Sequence, residues 1–372
     1  MRVLIAAGGT GGHIYPGIAV AQEIMRRDAN AIVRFVGTAR GLESRLVPQA
    51  GFELTIIDSS GLKNVSLVAR ARGVVTLPKS FLSTLSLLRE FKPDVVVGAG
   101  GYVSGPVVLT AALTKRPTLV MESNALPGWT NRVLASFVDR AAVSFEEALP
   151  FFRGKAVVTG NPVRREFFEV PRKPRNPNEF SILVFGGSQG ARAINEAMMA
   201  ALPMLKTSSV AMRIKHQTGP NDFERVEDAY RNAGWFSDAA VRQADSVSFV
   251  AEVRAYINHM VEDFAKADLV ICRAGATTTA ELIAAAKAAL MIPFPFATDD
   301  HQRRNAEALQ ASGAARMILQ QDLTADRLAK EIIELAQQPL AIDAMESSIR
   351  KLQRGDAAAA AVDIIEKLAG RN

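Results

Sequence analysis

A single histidine stands inside a glycine cluster near the start of the chain, Gly8-Gly9-Thr10-Gly11-Gly12-His13, after the apolar run Val3 to Ala7 and before a helical pattern with Pro16 near its start. A strand-to-helix junction of this kind presents free backbone N–H groups and the positive end of a helix dipole, which attract anionic groups. Four glycines let a diphosphate or an acceptor approach the backbone closely; the same pattern also makes a tight turn with no ligand. At a helix amino terminus His13 is disfavoured from protonation, so its neutral imidazole suits a general base, or else serves only as a hydrogen-bonding contact. The next strand closes through Arg34 to Thr38 without the acidic residue that would hold a dinucleotide ribose, which argues against NAD.

Further loops carry chemistry at similar junctions. Gly98-Ala99-Gly100-Gly101-Tyr102-Val103-Ser104-Gly105-Pro106 is a second glycine loop, with Tyr102 placed to meet an acceptor's polar groups, and Glu122-Ser123-Asn124 puts an acid and an amide at the next strand end, where capping and turn formation compete with ligand binding. In the second half Gly186-Gly187-Ser188-Gln189-Gly190-Ala191 offers backbone donors and the Ser188 hydroxyl to a phosphate, and Arg164, in Gly160-Asn161-Pro162-Val163-Arg164, can add a charge-assisted bond. In Cys272-Arg273-Ala274-Gly275-Ala276-Thr277-Thr278-Thr279-Ala280-Glu281, Glu281 is expected in the first helical turn, where its carboxylate can accept from ribose hydroxyls; Thr278 and Glu281 also have the spacing of a capping box. Gln302, after Pro293-Phe294-Pro295, is placed to read sugar hydroxyls, and Asp299-Asp300 to cap the following helix. No His, Cys, Asp or Glu pair has metal-ligand spacing, so a metal-free site with no cofactor is expected.

The elements that must position these loops follow from apolar periodicity. Short runs such as Val3 to Ala6, Ile32 to Val36, Asp94 to Val97 and Thr118 to Met121 each lead into a glycine-bearing turn and a helical pattern, and a second series runs through Ser181 to Phe185, Met212 to Lys215, Ser246 to Val250, Leu269 to Cys272 and Leu290 to Ile292. This alternation predicts an α/β protein of two doubly wound, Rossmann-like parallel-sheet domains. Ligands in such sheets sit outside the carboxyl ends of the strands, so two domains facing across a cleft would line it with both sets of glycine loops. The expected division is 1–164, 165–341 and a helical tail 342–372 returning to the first domain, with 171–178 an exposed connection. Cys272 is the only cysteine among 372 residues, which rules out an internal disulfide and fits a reducing compartment. Val95 to Thr114 is uncharged but broken by glycines and Pro106, so strand, loop and helix are expected there and no transmembrane helix. Net charge is +6 and the pI about 9.5, which favours an anionic partner, while 6% aromatic residues with no basic-aromatic run argue against nucleic acid.

Taken together and in order, GGTGGHIYPG, GGYVSGP, ESNALPGWTNR, GNPVR, GGSQGA and CRAGATTTAE closely resemble the MurG family, the undecaprenyl-diphospho-muramoylpentapeptide β-N-acetylglucosaminyltransferases of peptidoglycan synthesis. The resemblance covers residue 1 to about 310. It implies a GT-B fold, UDP-N-acetylglucosamine as donor, lipid I as acceptor, and transfer with inversion to the 4-hydroxyl of the muramoyl sugar, giving lipid II and UDP. It also implies donor contacts at Thr10, Gly11, Gly12, Asn124, Arg164, Ser188, Ile257, Ala276, Thr277, Thr278, Thr279, Ala280, Glu281 and Gln302, and acceptor handling or catalysis at His13 and Tyr102. Ser123 and Thr277 depart from the family's frequent glutamine and leucine. A lipid-linked acceptor calls for peripheral attachment to the anionic inner leaflet of the membrane, on its cytoplasmic face. Val65 to Phe91 supplies one candidate surface, with Leu77, Phe81, Leu85 and Leu88 near helical spacing beside Arg70, Arg72 and Lys79; a core helix with solvated basic neighbours is the competing reading. Two other functions share parts of the pattern. A UDP-N-acetylglucosamine 2-epimerase would turn over donor without acceptor, and a nucleotide-sugar-binding subunit would bind donor and transfer nothing.

Overall fold

The computed structural model describes residues 1–39, 41–57, 67–124, 126–187, 190–235, 249–297, 300–353 and 355–370, with 67–78 as backbone only. It divides into two compact units, Met1–Arg165 with Arg354–Asn372, and Glu166–Gln353.

The first unit is built on seven parallel strands: β1 (Arg2–Ala7), β2 (Ile32–Gly37), β3 (Glu53–Ile56), β4 (Val95–Gly100), β5 (Thr118–Glu122), β6 (Arg140–Val143) and β7 (Ala156–Val158), in the order β3-β2-β1-β4-β5-β6-β7. Helices α1 (Gly11–Arg27), α2 (Glu43–Gln49), α3 (Leu67–Phe91), α4 (Ser104–Leu113) and α5 (Trp129–Leu134) connect them. Val3, Ile5, Val95 and Val97 face Ile14, Ile18 and Ile24 of α1, while Leu4, Ala6 and Val96 face Leu87, Leu88 and Phe91 of α3 and Val103 and Val107 around the start of α4. Burial on both faces is why β1 and β4 read as unbroken apolar runs rather than alternating ones. The chain changes direction across the sheet between β1 and β4, so the loops after these two strands open side by side at their carboxyl ends.

The second unit has six parallel strands, β8 (Glu179–Phe185), β9 (Ala211–Gln217), β10 (Phe249–Arg254), β11 (Leu269–Cys272), β12 (Ala289–Met291) and β13 (Ala315–Met317), ordered β10-β9-β8-β11-β12-β13. Its helices are α6 (Arg192–Leu205), α7 (Phe223–Asn232), α8 (Met260–Lys266), α9 (Ala276–Ala285), α10 (His301–Ala311), α11 (Ala325–Gln337) and α12 (Pro339–Arg350). Cys272 is a buried residue of β11. The expected start of β10 at Ser246 lies outside the described residues.

Two expectations, on the tail and on α3, meet a different structure. The tail is two helices: α12 buries Ile342 and Met345 in the second unit's core, and only α13 (Ala357–Leu368) joins the first unit, with Ala361, Val362 and Ile365 in the cluster that includes α1. Asp356 separates them by accepting the Ala358 and Ala359 N–H groups and starting a new helix. The connection 171–178 is exposed as expected, apart from half-buried Lys173 and Arg175, which clasp the second unit: Lys173 Nζ and Arg175 Nη1 lie 2.6 and 2.8 Å from the buried Asp268 carboxylate, and Arg175 Nη2 lies 2.6 Å from Glu346. On α3, Leu88 is a core residue, Phe81 and Leu85 are half-buried, and the exposed apolar side chain is Leu82 at 64%. Leu88 is therefore spent on the fold, while Lys79 is exposed; the side chains of Leu77, Arg70 and Arg72 lie outside the described residues. Among the described residues no helix is long and apolar enough to cross a membrane.

The second core holds a polar island. His216 is wholly buried, with Nδ1 3.1 Å from the Tyr230 hydroxyl and Nε2 3.0 Å from Asn195 Oδ1. Burial pushes its pKa down to about 3, opposed weakly by the Asp222 charge. The folded form thus excludes a proton that the unfolded chain takes up near its ordinary 6.5, so this group's contribution to stability is intact above pH 6.5 and lost as pH falls towards 3. Urea melts of His216→Asn against the unaltered chain should show a weaker loss of stability between pH 6.5 and 4 in the variant; identical slopes would contradict the assignment.

Candidate active site

In the first unit the two glycine loops touch through their backbones. Gly8 N donates to the Gly100 carbonyl at 3.3 Å. A Cβ on Gly101, where φ is +81°, would collide with the Gly8 carbonyl, and one on Gly100, at φ +117°, would collide with His13 Nδ1. Only glycine fits at both positions, because each combines a positive φ with an occupied Cβ direction. His13 is the third residue of α1, and the N-cap residue Thr10 makes no side-chain capping bond, with no acid in the first turn. The imidazole is packed between these loops. Burial holds its pKa below the ordinary 6.5, more than the Glu122 charge and a hydrogen bond to the Ala99 backbone raise it. Desolvation is thus the main cause, where the sequence argument had relied on the helix end.

Beneath the loop lies a carboxylate that the sequence reading passed over. Glu43, wholly buried, accepts Gly9 N–H at 3.0 Å and both the Thr38 N–H and hydroxyl, at 2.9 and 2.7 Å. Its signal is Gly37-Thr38 followed by Gly41-Leu42-Glu43, with glycines wherever a Cβ would strike the carboxylate or its stem. At the end of β5, Glu122 accepts from Asn124 N, Asn124 Nδ2, Gly128 N and Asn131 Nδ2 at 2.9 to 3.0 Å, so its charge holds the turn that presents Asn124. Ser123 Oγ donates to Asn161 Oδ1 at 3.0 Å and ties this turn to the segment of Arg164, whose guanidinium lies 4.9 Å from the centre of the Tyr15 ring on α1. Tyr102 is 56% exposed. The first unit therefore gathers Thr10, Gly11, Gly12, His13, Tyr102, Asn124 and Arg164 around the carboxyl ends of its strands.

In the second unit the loop Gly186 to Ala191 follows β8; Ser188 lies outside the described residues. Gly190 N donates to the Gly187 carbonyl at 2.9 Å, and a Cβ on Gly190 would strike the Thr218 carbonyl. Ile257 is buried after β10. The helix carrying Ala276 to Glu281 starts one residue after Gly275, whose φ of −65° and ψ of 151° mark it as the N-cap without a side-chain bond. Thr278 is therefore inside the helix, which removes the capping-box reading, and Glu281 is its sixth residue, in the second turn and buried. Arg273 Nη1 donates to the Ile292 and Pro293 carbonyls and Nη2 to Gln320, Asn305 Nδ2 donates to the Ala274 carbonyl, and Gln302 Oε1 accepts Phe294 N–H at 3.0 Å. These bonds hold the loops after β11 and β12 together. Asp300 has φ +53° and no capping bond, so it does not cap α10 as expected; Asp299 lies outside the described residues. Among the described residues no three His, Cys, Asp or Glu side chains are grouped to hold a metal.

Comparison with known proteins matches the first unit to the glycosyltransferase family 28 N-terminal domain over residues 3–143, and residues 181–366 to the glycosyltransferase family 28 C-terminal domain. The chain is 44% identical to the UDP-N-acetylglucosamine--N-acetylmuramyl-(pentapeptide) pyrophosphoryl-undecaprenol N-acetylglucosamine transferase of Pelobacter propionicus, covering 98% of this chain and 99% of that one. It is 45% identical to the enzyme of the same name from Myxococcus xanthus, over 98% and 92%. A crystal structure of Acinetobacter baumannii MurG superposes with a TM-score of 0.74 at 30% identity, over 98% and 99% of the two chains.

Glu43→Ala leaves three donors under the glycine loop without their buried acceptor and is expected to lower the unfolding free energy by about 3 kcal/mol. Urea denaturation at constant slope measures it, and a loss below about 1 kcal/mol would mean the loop stands without this carboxylate.

Proposed function

This chain belongs to glycosyltransferase family 28, and on that premise we propose that it transfers N-acetylglucosamine from UDP-N-acetylglucosamine to the 4-hydroxyl of the muramoyl sugar of undecaprenyl-diphospho-muramoylpentapeptide, lipid I. The products are lipid II and UDP. The near-full-length likeness to transferases named for this reaction carries the reading. The acceptor hydroxyl attacks the anomeric carbon as the bond from that carbon to the diphosphate oxygen breaks; UDP leaves with the electron pair, and the configuration inverts.

His13 is our candidate for the base that takes the hydroxyl proton. With one ring N–H spent on the Ala99 backbone and a pKa held down by burial, the other ring nitrogen has its lone pair at neutral pH. Tyr102, exposed on the Gly98 to Pro106 loop, suits acceptor contact. Donor contacts are assigned to Thr10, Gly11, Gly12, Asn124, Arg164, Ser188, Ile257, Ala276, Thr277, Thr278, Thr279, Ala280, Glu281 and Gln302. The uncapped amino ends of α6 and α9 favour the departing diphosphate electrostatically. Buried Glu281 suits the ribose hydroxyls. Gln302 still has its amide N–H groups for a sugar, its oxygen being held by Phe294.

Attachment to an anionic membrane surface on the cytoplasmic side rests on charge and exposure. The first unit carries 23 Lys and Arg against 14 Asp and Glu, the second 21 against 24, so the basic excess of the chain is confined to the first. Leu82, Leu113, Trp129, Val133 and Phe137 are exposed on that unit. Nucleic acid is not among the proposed partners.

Purified chain, labelled donor and a lipid I analogue in EDTA should give acceptor-dependent lipid II; release or epimerisation of donor without acceptor would replace this function with the epimerase one. His13→Ala should lower kcat about 10²- to 10⁴-fold, and the acid limb of the unaltered enzyme's kcat/KM should lie below pH 6.5; an undiminished kcat would assign the base elsewhere. Replacing Leu82, Trp129 and Phe137 by serine should weaken binding to phosphatidylglycerol vesicles about tenfold without changing the melting temperature, whereas equal vesicle binding would remove these side chains from the membrane contact.

A further inference from the structure

Gln217, the last residue of β9, lies outside every donor contact assigned above, yet its side chain joins two of the segments that carry them. It is 2% exposed. Its Nε2 donates to the Gly187 carbonyl at 2.9 Å, and its Oε1 accepts Ile257 N–H at 2.9 Å. The Gly187 carbonyl also takes Gly190 N–H at 2.9 Å, so the turn of the glycine loop, with Gly187 at φ +97° and Gly190 at φ +77°, is closed by one backbone and one side-chain donor. Neighbours on the same strand end brace the same turn. Asn195 Nδ2 donates to the Thr218 carbonyl, against which Gly190 packs with no room for a Cβ, and Asn195 is itself held by buried His216.

We infer that Gln217 is a positioning residue for the UDP moiety, setting the distance between the phosphate-facing glycine loop and the segment at Ile257. An amide is the one neutral side chain of this length that donates to a carbonyl on one side and accepts an N–H on the other, and the two partners fix which end faces which. Severing the bridge leaves a buried carbonyl and a buried N–H to find other partners, and the two segments are then no longer tied to each other at this point. The inference rests on the proposed function, since it takes UDP as the ligand.

Two variants separate positioning from general damage. Gln217→Met keeps the length and removes both bonds. Gln217→Glu keeps the acceptor for Ile257 but sets a carboxylate oxygen against the Gly187 carbonyl; once protonated, its O–H donates there and the pattern of the amide is restored. Calorimetric binding of UDP to the unaltered chain is read first. If it binds no UDP and transfers no sugar, the function reading falls and this inference with it. Given binding, UDP affinity and the KM for UDP-N-acetylglucosamine should both worsen about tenfold in each variant at pH 8, with the acceptor KM unchanged. The ratio of Gln217→Glu to unaltered Kd should then fall towards one as pH is lowered to 5.5, while that of Gln217→Met stays constant. Unchanged UDP affinity in either folded variant, or no recovery of the glutamate variant at low pH, would overturn the inference; if the methionine variant does not fold, the glutamate variant's pH response alone decides it.

Discussion

The contact on which the first unit's site depends is backbone against backbone: the Gly8 carbonyl packed on Gly101, with Gly8 N–H bonded to the Gly100 carbonyl. Two loops from adjacent parallel strands approach this closely only when neither carries a Cβ at the contact. His13, half-buried, packs against Gly100 at this contact, and desolvation is the largest cause of its lowered pKa. A methyl group at Gly100 would strike the histidine ring itself, and one at Gly101 the Gly8 backbone.

Each unit also braces its strand-end loops with buried polar side chains. Glu43 does this for the Gly8 to Gly12 loop, Glu122 for the turn at Asn124, and Gln217 for the Gly186 to Ala191 loop. Glycine-rich turns are conformationally permissive, so their productive shape is costly in entropy unless other groups hold it. Charge-assisted and paired hydrogen bonds in a dry interior hold it well, because leaving such groups unpaired is expensive. The chain therefore combines permissive residue types with braced placement, which agrees with the need to align a diphosphate leaving group and an attacking hydroxyl.

The unequal charge of the two units is a separate constraint. A basic excess on the first unit and a slight acidic excess on the second concentrate attraction for an anionic group on one part of the molecule, and its range is that of the Debye length. The clasp of Lys173 and Arg175 on Asp268 shows that the basic residues of the connection are used inside the second unit instead.

Strands β1, β2, β4, β5, β8 and β11, the two parallel-sheet units and the order of the ligand loops were legible in the sequence, because continuous apolar runs followed by glycine turns have few alternative folds. The resemblance to the family implied which loops carry the site. The short strands β3, β6, β7 and β13 were not read. Leu88 looked lipid-facing and lies in the core, because periodicity identifies an apolar face without saying what covers it. Thr278 and Glu281 have capping spacing, but the helix begins at Ala276, a choice made by where β11 ends and its turn closes. Glu43 and Gln217 stayed hidden for a similar reason: one sits 34 residues from the Gly9 N–H it accepts, the other 30 and 40 from Gly187 and Ile257, and only the packed sheet brings such partners together. Residue types and local spacing thus determined the chemistry available to this protein, while the tertiary structure decided which buried polar groups brace the loops, because their partners lie far apart in the chain.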